Sequence, residues 1–369
     1  MIARNWKRLI LTIAVLVSMV AAISVGCAPP EGGEGELPKV VGITCYKPGQ
    51  GGYIFASGIK QCVDGYTPMH MYLEPRNTDM ERFLPVKNDE VEFVCWGGPT
   101  MADCVLGWGG FAEIGPQPIS MTWFNPAVGM VGVYVKGDSD IYKPEDLKGK
   151  RVPYAPASTS AFTQIGFWLA YGGLTYDDVI KIPCPSLSAI QDSLLADETD
   201  CAWGEVRSAT TKKTAAAPGG IRWIEVPAKT DEDKAKWERG LAEWPYTWPT
   251  HATMGAVPEG GVDISGAANP ICAMMDQSED VVYEQVKATH LGYEEFLEPS
   301  PYMLTWTLDE ALNTDKWKGF PVAYHPGAIK YFKEIGRWTP ELEEIQKTAL
   351  ERGQTELKKW QDGYRKIHE

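Results

Sequence analysis

The sequence is poor in the residue patterns that build reactive or metal-binding centres. It has five histidines at scattered positions, and no two of them have the H-x-x-x-H spacing of a zinc-binding helix. No two cysteines have C-x-x-C spacing, and no G-x-S-x-G nucleophile elbow occurs. The sequence therefore predicts a protein that is not an enzyme, and neither a cofactor nor a metal ion is expected.

A cationic surface is also missing. The chain has 35 Lys and Arg residues against 49 Asp and Glu residues, which gives a formal net charge of -14. Nucleic-acid binding needs a concentration of positive charge, so that class of partner is excluded. The negative charge suits a body that does not adhere to anionic lipid.

Short-period repeats are absent, and the cysteines give no clear disulfide framework. Beyond Cys27 the number of cysteines is odd, so at least one is unpaired within the chain. Disulfides and free buried thiols that act as small apolar residues both remain open. These cysteines are Cys45, Cys62, Cys95, Cys104, Cys184, Cys201 and Cys272.

The N-terminus has the pattern of a secretory signal. Three basic residues precede an apolar run over 9–25, and Gly26 then precedes Cys27. This end resembles a bacterial lipobox, which predicts a signal peptide over 1–26 and lipidation of Cys27. An uncleaved anchor is the alternative, because the run is close to the ~20 residues that span a bilayer. Both alternatives place the rest of the chain outside the cytoplasm, and lipidation anchors it in the periplasm or on the outer face of the cell membrane.

Residues 27–38 are rich in Gly, Pro and Glu, which predicts a flexible tether. The rest of the chain is long enough for two core-forming domains. Short apolar runs alternate in it with segments of helical spacing, a pattern that favours parallel α/β layers. The predicted strands are 39–45, 90–96, 127–135, 152–155 and 201–203, and the predicted helices are 53–63, 99–106, 158–171, 187–196 and 340–369.

Four stretches of the mature chain carry a resemblance to a known family. They are 51–53 (GGY), 146–152 (DLKGKRV), 190–202 (IQDSLLADETDCA) and 325–336 (HPGAIKYFKEIG). In this order they resemble the TAXI family, the receptor proteins of one branch of the TRAP transporters. The last stretch is the most specific, whereas 146–152 is shared by many two-lobed binding proteins.

The resemblance implies an α/β fold of the two-lobed type II periplasmic-binding-protein class, with a central ligand cleft and two hinge strands. Lobe 1 is then expected over 39–127 and 255–369, and lobe 2 over 128–254. The outgoing crossover is expected at 127–135 and the return at Thr253–Val257. The implied partners are a small solute, which is an organic acid or an amino acid, aromatic ones included, and the membrane permease subunits of a TRAP transporter.

Two predicted helix starts are candidate parts of the ligand site. Ligands of open α/β sheets lie beyond the carboxyl ends of the strands, where helix N-termini supply free N–H groups. Both segments also have a purely structural interpretation, as a turn and as a helix cap. The candidates are Gly51, Gly52 and Tyr53 in lobe 1, and Ser158, Thr159 and Ser160 in lobe 2.

Aromatic and charged residues near strand ends supply further candidates. Trp96 and Trp203 could stack on a flat or cationic ligand, although ordinary packing is the alternative for each. Glu205 and Arg207 follow Trp203 at strand-like alternation, and Arg207 could bind a carboxylate with two hydrogen bonds. A surface ion pair is the alternative for these two charges.

The function expected from the sequence is that of an extracytoplasmic solute-binding receptor. The loops that would contact ligand depart from the family pattern at 45–50, 96–99 and 155–160, so the resemblance does not identify the solute. The alternatives are a binding component of an ABC importer, which a neighbouring gene for an ATPase would indicate, and a secreted enzyme, which would consume its substrate.

Overall fold

The structure is a computed structural model that describes residues 36–126, 129–294 and 304–368. The predicted signal peptide and Cys27 lie outside the described residues. Of the predicted tether, only residues 36–38 are described, and they have no regular secondary structure.

Twelve strands and twelve helices of the α type occur in the described residues. The strands are β1 Val40–Cys45, β2 His70–Pro75, β3 Phe93–Cys95, β4 Ile119–Trp123, β5 Gly129–Lys136, β6 Arg151–Tyr154, β7 Ile180–Pro183, β8 Ala202–Glu205, β9 Ile221–Trp223, β10 Trp248–Ala252, β11 Val262–Ala267 and β12 Ile271–Met274. The helices are α1 Gly51–Tyr66, α2 Asp79–Lys87, α3 Gly98–Leu106, α4 Thr159–Tyr171, α5 Leu187–Leu195, α6 Ala209–Ala215, α7 Asp231–Glu243, α8 Glu279–Leu291, α9 Leu308–Ala311, α10 Thr314–Trp317, α11 Pro326–Glu334 and α12 Pro340–His368.

The strands of the first lobe form a five-stranded sheet in the order β2-β1-β3-β12-β4. The first three strands are parallel, with Val40 paired to His70 and Ile43 paired to Phe93. Strand β12 is antiparallel to both β3 and β4. The carboxyl ends of β1 and β3 therefore lie at one edge of the sheet, where α1 and α3 begin.

The second lobe contains the order β10-β11-β5-β8, with β9 also paired to β5. These pairs are antiparallel, and β6 and β7 form a separate parallel pair. The chain thus leaves the first sheet after β4 and returns to it at β12. Two sheets joined by two crossings form the two-lobed type II periplasmic-binding-protein fold, so the predicted fold class is confirmed.

The return crossing differs from the prediction. Thr253–Val257 is the loop between β10 and β11, and both of those strands belong to the second sheet. The chain instead returns through 268–270, directly after β11, whose Ser265 pairs with Val131 of β5. The return at 253–257 was implied by the family resemblance, but Gly255 has a φ of 91°, which makes the segment a turn.

Local sequence explains why the helices of the second lobe begin where they do. The side chain of Ser186 accepts the N–H of Ala189 and caps α5. Ser158 is the N-cap residue of α4, but its hydroxyl makes no capping hydrogen bond. The first turn of α4 is therefore satisfied from elsewhere in the molecule.

All seven cysteines of the described residues are reduced and buried. Of the two alternatives from the sequence, the structure has buried thiols that pack as small apolar side chains. Burial raises the pKa of the thiols of Cys45 and Cys272, each to about 12. Among the described helices, none is both long and apolar enough to cross a bilayer.

Candidate functional site

A pocket with an empty volume of about 610 Å³ lies between the two lobes. We call it the interlobe pocket. Both lobes and the returning chain segment contribute to its wall. The lining residues are Tyr46, Gln50, Gly51, Gly52, Phe55, Gly97, Pro99, Val131, Ser160, Gln164, Leu187, Gln191, Trp203, Glu205, Ser208, Thr210, Ala267, Ala268 and Asn269.

Two helices of the first lobe begin at this pocket. Helix α1 starts at Gly51 after Gln50, and α3 starts at Gly98 after Gly97, and neither N-cap residue makes a side-chain capping bond. The first N–H groups of a helix have no partner within the helix and carry a partial positive charge. The start of α1 therefore favours a negatively charged or hydrogen-bond-accepting group in the pocket. At α3, by contrast, the N–H of Gly98 already donates to the carbonyl oxygen of Ala268 at 2.8 Å, and Pro99 has no N–H.

Glycine is required at the start of α1 because an aromatic ring lies against the backbone. A Cβ atom on Gly52 would be 2.0 Å from Cδ2 of Tyr46, which real Cβ atoms do not approach. The same is true at α3, where a Cβ atom on Gly97 would be 2.0 Å from Oγ of Ser160 in the other lobe. Gly52 thus allows the Tyr46 ring to pack on the start of α1, and Gly97 allows close approach of the two lobes at the pocket.

Glu205 and Arg207 form a buried ion pair, not the surface pair that the sequence left open. Nε of Arg207 lies 2.6 Å from Oε1 of Glu205, and the backbone N–H of Arg207 donates to Oε2 at 2.9 Å. Burial raises the pKa of the Glu205 carboxyl, and the guanidinium of Arg207 opposes that rise. Glu205 lines the pocket with its charge balanced by Arg207, which does not line the pocket itself.

Trp203 lines the pocket from β8, on the same face of the strand as Glu205. Its indole Nε1 is buried and has no hydrogen-bond partner among the described residues. A buried N–H group without an acceptor costs about 1–3 kcal/mol. The indole therefore supplies an unsatisfied donor beside the pocket.

Ser160 is the one residue of the predicted 158–160 segment that lines the pocket. Its hydroxyl lies 3.1 Å from Oγ1 of Thr100, across the two lobes. The N–H of Thr159 does not face the pocket but donates to Oδ2 of Asp79 at 2.6 Å. Ser158 is buried and its hydroxyl has no partner among the described residues. The start of α4 is thus capped by a carboxylate of the first lobe.

Two further candidates are not brought to the pocket. Trp96 is completely buried in the core of the first lobe, where its Nε1 donates to Sγ of Cys272 at 3.3 Å and its ring stacks on Phe83. Trp96 directly follows β3, which is the central strand of the first sheet and ends at Cys95. The side chain of Trp96 therefore lies in the core of the lobe and not at the pocket. Tyr53 follows the two glycines on α1 but does not line the pocket.

The sequence did not indicate several residues that line the pocket. Gln164 follows Ser160 by four positions on α4, and such residues share one helix face, so this spacing was the available signal. Asn269 lies in the returning segment, which the sequence placed elsewhere. Gln191 also lines the pocket, and it belongs to the stretch 190–202 that resembles the TAXI family. The resemblance does not indicate that its side chain contacts the ligand site.

Comparisons with known proteins give a partial family match and distant structural likenesses. A family model described as NMT1/THI5 like matches residues 127–218, which is well under half of the chain. No curated protein matches this chain.

Three solved structures are similar over most of the chain. A periplasmic transporter has 15% identity and a TM-score of 0.49, over 86% of this chain and 96% of that one. The alkanesulfonate-binding protein SsuA from Xanthomonas axonopodis pv. citri, bound to MOPS, has 13% identity and a TM-score of 0.45, over 85% and 84%. PhnD1 from Prochlorococcus marinus (MIT 9301), in complex with methylphosphonate, has 10% identity and a TM-score of 0.43, over 82% and 100%.

Proposed function

We propose that this protein is an extracytoplasmic receptor that binds a small organic acid or amino acid in the interlobe pocket. The observation that carries the proposal is the pocket itself, which both lobes form around unsatisfied hydrogen-bond donors. The start of α1 and the indole N–H of Trp203 offer donors that a carboxylate satisfies. Phe55 and Trp203 supply apolar surface for the rest of the solute, an aromatic side chain included.

We further propose that the receptor delivers its solute to the membrane subunits of a TRAP-type transporter. The support is the resemblance of 325–336 and the other three stretches to the TAXI family. The signal peptide over 1–26 is removed, Cys27 carries the lipid anchor, and residues 28–38 form the tether. Lobe 1 contains residues 39–126 and the chain from 271 onward, and lobe 2 contains residues 129–267.

Hinge closure is the mechanism that we propose. The solute contacts both lobes and so stabilises the closed arrangement, which the permease then recognises. Glu205 supports such a mechanism because it belongs to lobe 2 and yet lies beside the start of α1. Its Oε2 is 3.6 Å from the position that a Cβ atom on Gly51 would take. The pocket is complete only when the lobes are together.

A thermal-shift screen tests the proposed function. The purified protein is heated with carboxylic acids, amino acids and aromatic acids, each matched by its uncharged amide. We expect one or more acids to raise the melting temperature, because a ligand at about 100 times its Kd adds about 2.7 kcal/mol of stability. The matched amides should have little effect. Consumption of the bound compound would instead support a secreted enzyme.

The variant Trp203→Phe tests the role of the indole N–H. Phenylalanine keeps an aromatic ring but removes the donor, so the Kd for the acid should rise about 10- to 100-fold, because a hydrogen bond to a charged group contributes about 1.5–3 kcal/mol. Trp338→Phe is the control, since Trp338 donates to Glu343 and does not line the pocket. An unchanged Kd in Trp203→Phe would remove this residue from the site.

A further inference from the structure

A second and larger cavity lies next to the interlobe pocket. Pro99 lines both, and the second cavity has an empty volume of about 1220 Å³. We call it the side cavity. One wall is the end of α3 with the loop over 108–110, and the other is the start of α4 with the segment over 243–246.

Aromatic rings form much of the wall of the side cavity. They come from Trp108, Phe162, Trp244 and Tyr246. Trp108 is 44% exposed, so its ring is accessible from solvent. Phe162 and Trp244 meet edge to face with their ring centroids 5.5 Å apart. The faces of such rings carry negative potential and attract cations.

The wall of the side cavity also contains a buried carboxyl group. Asp103 is 9% exposed, and its carboxylate makes neither a hydrogen bond nor an ion pair within the described part of the chain. Burial, together with the negative charge of Asp79, raises the pKa of Asp103 to about 7. Buried carboxyl groups are normally paired or hydrogen-bonded, so this group lacks the partner that its position calls for.

The charged residues that line the side cavity are both acidic, and Arg352 reaches the hydroxyl of Tyr246 from outside the lining. Glu243 is exposed at its rim, and none of the residues that line it is Lys, Arg or His. We propose that the side cavity is a binding site for a small organic cation of the substituted ammonium class. The ammonium group lies against the aromatic rings and pairs with the carboxylate of Asp103. This site is independent of the carboxylate-binding function proposed for the interlobe pocket.

Calorimetry with choline tests the site on the full purified protein. The matched probe is the neutral analogue of choline in which carbon replaces the ammonium nitrogen. We expect choline to bind and to change the tryptophan fluorescence, and the neutral analogue to bind at least about tenfold more weakly. Equal binding of the two compounds, or no binding of choline, would overturn the proposal.

Two variants locate the binding. Asp103→Asn removes the charge at constant size and should raise the Kd for choline about tenfold. Trp108→Ala removes an exposed ring, which leaves folding intact, and should also weaken binding. Asp362→Asn is the control, since Asp362 is exposed on α12 and lies outside the cavity. Choline binding that is unchanged in both test variants would place the cation elsewhere and refute the site.

The pH dependence of binding gives an independent readout. Choline should bind more tightly as the pH rises through about 7, because Asp103 then loses its proton. The other titratable groups nearby are Asp79, Glu243 and Tyr246, and the hydroxyl of Tyr246 accepts a hydrogen bond from Arg352 at 3.2 Å. Asp103→Asn should abolish the change in this pH range. If the Kd of Asp103→Asn for choline still changes with pH as that of the wild type does, Asp103 does not pair with the cation.

Discussion

Asp79 connects the two lobes through one buried carboxylate. Its Oδ2 accepts the N–H of Thr159 at the start of α4, and its Oδ1 pairs with Arg82 on its own helix. The guanidinium carbon of Arg82 lies 4.0 Å from the centroid of the Tyr46 ring. The protein therefore supplies its own anion to the helix end that the sequence had suggested for a ligand.

The variant Asp79→Asn should destabilise the protein by about 3–5 kcal/mol, because Arg82 is then a buried charge without an opposite charge. The free energy of unfolding in urea measures this. Asp177→Asn is a matched control that breaks the exposed pair with Lys181 and should cost less than about 1 kcal/mol. Equal losses of unfolding free energy in the two variants would show that the buried ion pair stabilises the protein no more than the exposed pair does.

The sequence could identify residues of the pocket only where a local pattern marks them. Gly51 and Gly52 open a helix, and the alternation of Trp203 and Glu205 indicates a strand face. The contact between Asp79 and Thr159 joins residues 80 positions apart, and no local pattern encodes it. Trp96 was assigned to a strand end, but its surroundings depend on strand β12, which lies far along the chain.

Helix α11 shows what the His-Pro-Gly motif does. Nδ1 of His325 accepts the N–H of Gly327 at 3.1 Å and caps the helix, and Pro326 occupies the first helical position. A Cβ atom on Gly327 would be 2.3 Å from the carbonyl oxygen of Glu279, so glycine allows α11 to pack on α8. Each residue of the motif thus has a structural role.

The cap predicts how stability depends on pH. Burial lowers the pKa of His325 from 6.5 to about 4. Between these values the unfolded chain binds a proton that the folded protein does not, so stability is full above pH 6.5 and falls as the pH approaches 4. The loss from this residue is about 3 kcal/mol in total.

His325→Asn tests this dependence, since asparagine caps helices and does not titrate. Urea unfolding of both proteins near neutral pH and near the lowered pKa should show that the variant loses about 3 kcal/mol less than the wild type. If His325→Asn loses as much stability as the wild type between the two pH values, groups other than His325 cause the sensitivity to acid.

Most single elements were predictable because their signals are local. Helices α1, α3, α4, α5 and α12 lie where apolar spacing and cap residues predict them. The order of strands in the first sheet could not be predicted from local patterns. Strand β12 lies between β3 and β4, although it follows β4 by about 150 positions in the chain. The two-lobed arrangement itself came from the family resemblance and not from the spacing of residues.

The two lobes are in direct contact throughout the interlobe region. The N–H of Ala209 donates to the carbonyl oxygen of Gly49 at 3.0 Å, and the N–H of Asp79 donates to that of Ala157 at 3.2 Å. Ser160 lies so close to Gly97 that no side chain fits between them. The structure is therefore the closed arrangement of a two-lobed protein.

Gly97→Ala should prevent full closure, because the added Cβ atom would lie 2.0 Å from Oγ of Ser160. Small-angle scattering with the acid from the screen should show that the wild type contracts and the variant does not. Gly65→Ala is the control, since nothing lies within 4 Å of the added atom. The second substitution Ser160→Gly should restore closure, and a Gly97→Ala protein that contracts normally would contradict the steric argument.

The buried thiols have a practical consequence for watching such motion. A maleimide reacts with thiolate, and the seven cysteines of the described residues are buried, with the pKa of thiols such as those of Cys45 and Cys272 raised by that burial. Once Cys27 is replaced, a cysteine introduced on the exterior of each lobe would therefore take up a fluorophore selectively, without replacement of these seven. Energy transfer between two such dyes could follow opening and closing one molecule at a time.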